Sequence, residues 1–270
     1  MSETIISLEH LKKSYGKNHV LTDVNMEIEK GEIYGLIGAN GSGKTTIFKI
    51  ILGLSDYQGG TVRIGEPGDS LEKGRSRTGF FVGQNFFPYL DAVENLKYYA
   101  NLKAVKNPKP EIERVLKLVG LHGTKTAVKG YSLGMRQRLG IANAMLGNPE
   151  VMIFDEPVNG LDPQGIADIR NMFQDVNKEF GTTIIISSHI LGELQNTAYR
   201  FAILNQGKIV KVLSQADLQA DSSVVRLSVN DVAKAREVLA REGIRVLKEK
   251  AENISLEDYY FEQIGGGEDK

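Results

Sequence analysis

A chain of 270 residues has room for one large domain, or for a main domain with a small appendage. Its 41% hydrophobic and 25% charged residues are the composition of a globular protein with a sizeable core. The 33 Lys and Arg against 34 Asp and Glu leave a formal charge of -1, which excludes the overall basic field that draws a protein to nucleic acid or anionic lipid. The absence of cysteine excludes disulfides, thiol nucleophiles and thiolate metal sites and suits a cytoplasmic protein. No apolar run approaches the roughly 18 to 20 residues that cross a bilayer, and the polar start MSETIISLEH is no secretory signal, so a soluble chain is expected.

Along the chain, Val24, Met26 and Ile28 alternate with Asn25, Glu27 and Glu29, the pattern of a half-buried strand in an antiparallel ribbon. EIYGLIG, from Glu32, is an apolar run without clean alternation, as expected of a central strand covered on both faces. KTTIFKIILG, from Lys44, has helical periodicity, and GTVRIG, from Gly60 to Gly65, returns to the ribbon pattern. Helical patterns then follow one another in DAVENLKYYANL from Asp91, PEIERVLKLVG from Pro110 and GMRQRLGIANAML from Gly134. VMIFD, from Val151, is a second buried strand.

These elements predict an α/β core around a parallel sheet, with an antiparallel ribbon and a helical insert over about residues 85–148, all within a main domain spanning 1–215. Beyond it SSVVRLSVN reads as strand, DVAKAREVLAREG as helix, IRVLKEK as strand and SLEDYYFEQIGG as helix. That is a small α+β appendage over 216–264, ending in a mobile tail at 265–270.

The segment GANGSGKTT, from Gly38 to Thr46, lies between a buried strand and a helix and matches G-x-x-x-x-G-K-[ST] in the context that motif requires. Gly38, Gly41 and Gly43, with Ala39, Asn40 and Ser42 between them, let successive amides surround a β-phosphate at a helix N-terminus. Lys44 would reach the β- and γ-phosphates, Thr45 would ligate Mg²⁺ through its hydroxyl, and Thr46 completes the motif. Asp155 and Glu156, at the exit of VMIFD, face the ligand crevice of a parallel sheet. There Asp155 would hold Mg²⁺ through water and Glu156 would orient or deprotonate an attacking water.

Other residues are ambiguous alone. Ser132 in YSLGM, taken alone, reads more often as an ordinary helix cap than as a donor to an anion. His189, after TTIIISS, is by itself more often structural than catalytic. Tyr15 is a packing aromatic or a stacking platform, and Gln84 by itself says nothing.

Taken in order, Tyr15, GANGSGKTT, Gln84, YSLGM, FDEP, the NGLDP of Asn159 to Pro163, and His189 resemble the motif series of the ATP-binding cassette (ABC) family over about residues 4–214. The resemblance implies a P-loop NTPase fold with an ABC-type helical subdomain. It also implies hydrolysis of ATP with Mg²⁺ between two cassettes, each site combining the P-loop of one subunit with the signature of the other. Ser132 and the Gly134 amide would then meet the γ-phosphate held by the partner chain, and Asp162 would cross the dimer interface. Tyr15 would stack on adenine, Gln84 would sense Mg²⁺ and the permease, His189 would contact the γ-phosphate and Glu156 would be the base.

The signature departs from the family's usual L-S-G-G-Q at Tyr131, Leu133 and Met135. In this the chain resembles the subgroup that exports or expels antimicrobial peptides such as bacitracin and lantibiotics. The resemblance implies partners: a second nucleotide-binding subunit, homodimeric or homologous, and separate integral-membrane permease subunits holding this one at the inner face of the cell membrane. A cassette ATPase acting on ribosomes or DNA is the alternative, disfavoured by a single cassette and a balanced charge, and no nucleic acid is expected as partner. A GTPase would need N-K-x-D, and NKEF at Asn177 to Phe180 lacks the Asp.

Overall fold

The computed structural model describes residues 3–83, 86–219, 229, 231–244 and 246. Its chain divides into two compact units, Met1–Leu218 and Gln219–Lys270.

The first unit opens with the long strands β1 (Thr4–Tyr15) and β2 (Asn18–Glu29), then β3 (Ile33–Ile37), helix α1 (Lys44–Ile51) and strand β4 (Gly59–Ile64). A short helix α2 (Leu71–Ser76) leads to β5 (Thr78–Phe81), and helices α3 (Ala92–Leu102), α4 (Pro108–Leu118) and α5 (Leu133–Met145) follow. The chain then returns to the sheet through β6 (Val151–Asp155), helix α6 (Pro163–Phe180), β7 (Thr183–Ser188) and helix α7 (Leu191–Gln195). It closes with β8 (Arg200–Asn205), β9 (Lys208–Ser214) and the short α8 (Gln215–Gln219).

The strands form one sheet in the order β4-β1-β2-β9-β8-β3-β7-β6-β5. β4, β1 and β2 pair antiparallel, with Ile6 opposite Ile28, Leu8 opposite Met26 and Leu11 opposite Val24. The alternation seen in the sequence is therefore the buried face of this ribbon, and a slip of one residue would turn every one of these side chains to the other face. β8, β3, β7, β6 and β5 run parallel.

The unbroken apolar runs follow from burial on both faces. Met152, Phe154, Ile184 and Ile186 belong to a core cluster with α3, α4, α5 and α6, whereas Val151, Ile153 and Ile185 belong to a second cluster with α1 and the ribbon. Successive side chains of a strand point to opposite faces, so each strand feeds both clusters. Phe154 and Phe173 meet at a ring-centroid separation of 4.7 Å and seat α6 on β6; burying each such ring contributes about 1.5–3 kcal/mol.

The insert is built as its sequence pattern predicts. α3 begins with a capping box in which Asp91 accepts from the Glu94 amide and Glu94 accepts from the Asp91 amide. α6, the longest helix among the described residues, goes beyond the predicted elements. Asp162 caps it, Pro163 opens it, and Gly181, with φ 65°, ends it. No helix among the described residues is long and apolar enough to cross a membrane.

In the second unit, helix α9 (Val232–Arg241) starts at Asp231, whose carboxylate accepts from the Lys234 amide at 3.0 Å. Apart from Val229, Ile244 and Val246, the strands expected over 222–230 and 244–250 lie outside the described residues, as do the helix expected from Ser255 and the tail.

Candidate functional site

The site gathers where the parallel strands end. β3 stops at Ile37, and the loop from Gly38 to Gly43 carries the chain into α1. Gly43 has φ 110°, and a Cβ there would lie 2.7 Å from Leu21 Cδ2, so both the backbone and the space require glycine. At Gly38 a Cβ would come within 2.5 Å of Ser42 Oγ and 2.8 Å of the Leu204 carbonyl oxygen. The loop is thus pressed onto β2 and β8, while Ala39, Asn40 and Gly41 at its crest are exposed.

No acidic side chain occupies the first turn of α1, and the first amides of a helix have no intrahelical acceptor. The turn therefore presents free N–H groups and the positive end of the helix dipole. The Ser42 hydroxyl is buried without a partner. Lys44 is buried, with Nζ donating to the Gly38 carbonyl at 2.6 Å and the Ala39 carbonyl at 3.3 Å and lying 3.1 Å from Glu156 Oε1.

The acidic pair leaves β6 opposite this loop. Thr45 Oγ1 donates to Asp155 Oδ2 at 2.6 Å, joining the start of α1 to the end of β6. Glu156 adopts φ 51°, a left-handed conformation that costs a non-glycine residue roughly 1–3 kcal/mol unless its surroundings impose it. Its Oε2 is 2.6 Å from His189 Nδ1 and its Oε1 is the one facing Lys44. Lys44, Thr45, Asp155, Glu156 and His189, drawn from the ends of α1, β6 and β7, thus form one connected set. His189, ambiguous when read alone in the sequence, belongs to it.

Tyr15 ends β1, is 49% exposed, and lies beside the P-loop helix. Its hydroxyl is 3.4 Å from Ser55 Oγ, and this contact, opposed by desolvation and aided by Thr46 and the charges of Lys13 and Lys49, lowers its pKa. Lys13 Nζ stands 4.7 Å from the ring centroid.

The segment around Ser132 belongs to the insert. Ser132 is exposed and caps α5 by accepting from the Met135 amide at 3.2 Å, which is its helix-cap reading. Asp162 likewise caps α6, through the Gly165 amide at 2.9 Å. The two loops touch: a Cβ on Gly160 would be 2.9 Å from Leu133 Cδ2, and one on Gly134 3.6 Å from Leu161 Cδ2. Gln84 lies outside the described residues.

The family model for the ABC transporter matches residues 21–159, more than half of the chain. The bacitracin transport ATP-binding protein BcrA of Enterococcus faecalis is 34% identical over 302 aligned positions, covering 98% of each protein. The chain belongs to the ABC transporter family. Within the family, the lantibiotic transport ATP-binding protein SrtF of Streptococcus pyogenes is 40% identical over 76% of this chain and 89% of its own. Among solved structures, the cassette MJ0796, determined as a dimer in a post-hydrolysis state with ADP and phosphate, superposes with a TM-score of 0.69 at 26% identity. The match covers 78% of this chain and 98% of that one. As an ABC cassette, the protein is an ATP-binding, ATP-hydrolysing transporter subunit.

The residues present also fit Mg²⁺. The Thr45 hydroxyl and the Asp155 carboxylate are hard oxygen donors that already meet at 2.6 Å, and Mg²⁺ on a nucleotide needs few protein ligands because phosphates and waters complete its octahedron. Among the described residues no group of three or more His, Asp or Glu gathers as an all-protein cage.

One residue of the network carries no sequence motif. Ser187 is fully buried, accepts from the Glu156 amide at 2.9 Å and donates to Asp155 Oδ1 at 2.7 Å. In the sequence it is a small polar residue closing an apolar run; only the pairing of β6 with β7 shows its purpose.

Proposed function

We propose that two of these cassettes close on ATP and Mg²⁺ to drive separate permease subunits in expelling an antimicrobial peptide of the bacitracin or lantibiotic kind. The observation that carries the catalytic part is the connected set from Lys44 through Glu156 to His189, with Thr45 and Asp155 beside it. The amides of Gly38 to Thr46 cradle the phosphates, and the Lys44 ammonium neutralises their charge. Thr45 and Asp155 hold the metal, which offsets charge on the phosphate oxygens.

Glu156 takes the proton of the attacking water. His189 Nδ1 holds one oxygen of that carboxylate, leaving the other for Lys44 or the water. Tyr15 offers its exposed ring to the base, and Gln84 couples the metal to the permease. Ser132 and Gly134 close on the γ-phosphate of the partner's site, and Asp162 meets the partner. The cargo part is supported by the likeness to BcrA and SrtF, which carry bacitracin and lantibiotic transport in their names. The subunit then works peripherally, on the cytoplasmic face, held by its permease.

Glu156→Gln tests the reading. The variant is expected to bind ATP with unchanged affinity and to hydrolyse it roughly 10² to 10⁴-fold more slowly, the reach of a general base; wild-type turnover would place the base elsewhere. For the cargo, the subunit is copurified with its permease from membranes and the pair expressed in a sensitive host. Higher tolerance to bacitracin or a lantibiotic, lost with Glu156→Gln, is the expected result.

A further inference from the structure

We propose that Ser187 is the positioning residue of the catalytic end of the sheet, setting the metal-holding carboxylate and the base together through one hydroxyl. The inference rests on the assignments of Asp155 to the metal and of Glu156 to the base made above.

β6 and β7 run parallel with Asp155 directly opposite Ser187, and Leu36 of β3 flanks Ser187 on its other side. The hydroxyl therefore enters a layer in which every residue of β7 is buried. A hydroxyl there is costly without partners, and in this strand of isoleucines a serine adds little to packing. Its geometry supplies a reason. Ser187 Oγ accepts from the Glu156 N–H at 2.9 Å and donates to Asp155 Oδ1 at 2.7 Å, using its donor and an acceptor at once.

Both bonds act on the chemistry through another residue. With Oδ1 occupied by Ser187, the second oxygen of Asp155 is the one turned to the Thr45 hydroxyl, at 2.6 Å. This fixes the rotation of the carboxylate and selects the oxygen that meets the metal. The bond to the Glu156 amide anchors the backbone where it turns to φ 51° immediately after β6. That turn sets the Glu156 side chain between Lys44 at 3.1 Å and His189 at 2.6 Å. Without the hydroxyl, the amide and Oδ1 each lose a buried partner, the carboxylate is free to rotate, and the strained turn loses one of the bonds that impose it. Partners that orient metal ligands in this way are worth about 10 to 100-fold in metal affinity or activity.

The test uses a pair of variants of equal bulk, Ser187→Thr and Ser187→Val, which differ at the hydroxyl alone, so any strain from the added methyl is common to both. Equilibrium binding of a non-hydrolysable ATP analogue is measured with Mg²⁺ and with EDTA, alongside kcat for ATP. Expected is a Mg²⁺-dependent gain in affinity that Thr keeps and Val loses by roughly tenfold, equal binding of both in EDTA, and a kcat about 10 to 100-fold lower in Val than in Thr. Equal Mg²⁺ gain and equal kcat in the two variants would overturn the proposal. Asp155→Asn is run in parallel and is expected to lose the Mg²⁺ gain. If it keeps the gain, the metal assignment fails instead, and the two failures are told apart.

Discussion

The crevice at the strand ends and the YSLGM segment of the insert are made of the same materials, a serine, a glycine and the start of a helix, yet they stand differently in the chain. In the crevice, Lys44, Thr45, Asp155, Glu156 and His189 converge from separate elements and bind one another. At YSLGM, Ser132 is exposed and its hydroxyl is engaged locally, as the cap that accepts from the Met135 amide. The first is a site assembled by its own fold. The second is a surface segment ordered by a cap and in contact with the loop of Gly160 and Leu161. Under the proposed function the crevice is one half of a composite site and YSLGM the other.

The largest effect should come from breaking the complete half. Lys44→Ala removes the ammonium that holds the loop carbonyls and faces Glu156, and hydrolysis is expected to fall by roughly 10² to 10³-fold or more. Near-normal ATPase activity in that variant would dissolve the crevice as the catalytic half.

Next comes the joining of the halves. Ser132→Arg puts bulk and charge at the signature, so homodimers of that variant, like those of Lys44→Ala, are expected to be inactive. In a two-fold dimer of one chain of each, both defects fall in one composite site and the other is intact. An equal, freely exchanging mixture should recover roughly a quarter of wild-type activity, because half the dimers carry one good site of two. ATP-driven pairing of differently tagged variants is measured beside turnover; without pairing and without recovery, YSLGM is only a helix cap.

A smaller substitution separates the two duties of Ser132. Aspartate caps a helix about as well as serine, so Ser132→Asp should change stability by less than about 0.5 kcal/mol while opposing the partner's γ-phosphate with a negative charge. The expected outcome is an unchanged Tm with ATPase activity reduced by roughly tenfold or more, tenfold being about 1.4 kcal/mol against the several kcal/mol that juxtaposed like charges cost. Unchanged activity would leave the cap as its sole duty.

Much of this was legible because local pattern and global fold agree. GANGSGKTT sits between a strand and a helix, VMIFD is apolar enough to be buried on both faces, and the alternation about Met26 fixes the ribbon's register. What local pattern could not carry is pairing at a distance. Ser187 meets Asp155 across 32 residues of sequence because β6 and β7 are neighbours in the sheet. His189 gains a partner by the same route. α6 was readable in principle, with Asp162 and Pro163 at its start and Gly181 at its end, but NGLDP attracts attention as a loop motif and hides the cap within it.

The smallest effect should come from Met135, where the sequence departs from the family's polar residue. Its side chain is half-buried and packs on the core cluster of the insert, and its amide donates to Ser132. A helix N3 residue keeps that amide whatever its side chain, so Met135→Gln leaves the cap in place and changes two other things. It removes apolar area from the core, which should cost about 1 kcal/mol and lower Tm by about 2–4 °C for a unit of this size. It also gives the signature an amide able to reach across a closed dimer, so ATP-driven pairing should rise modestly, by less than about threefold, a fraction of the roughly 1 kcal/mol that one net hydrogen bond contributes. The two readouts move in opposite directions, and a general loss of fold cannot imitate that. If pairing falls with Tm, the methionine is itself an apolar contact of the closed state, and the signature of this chain is tuned around it rather than weakened by it.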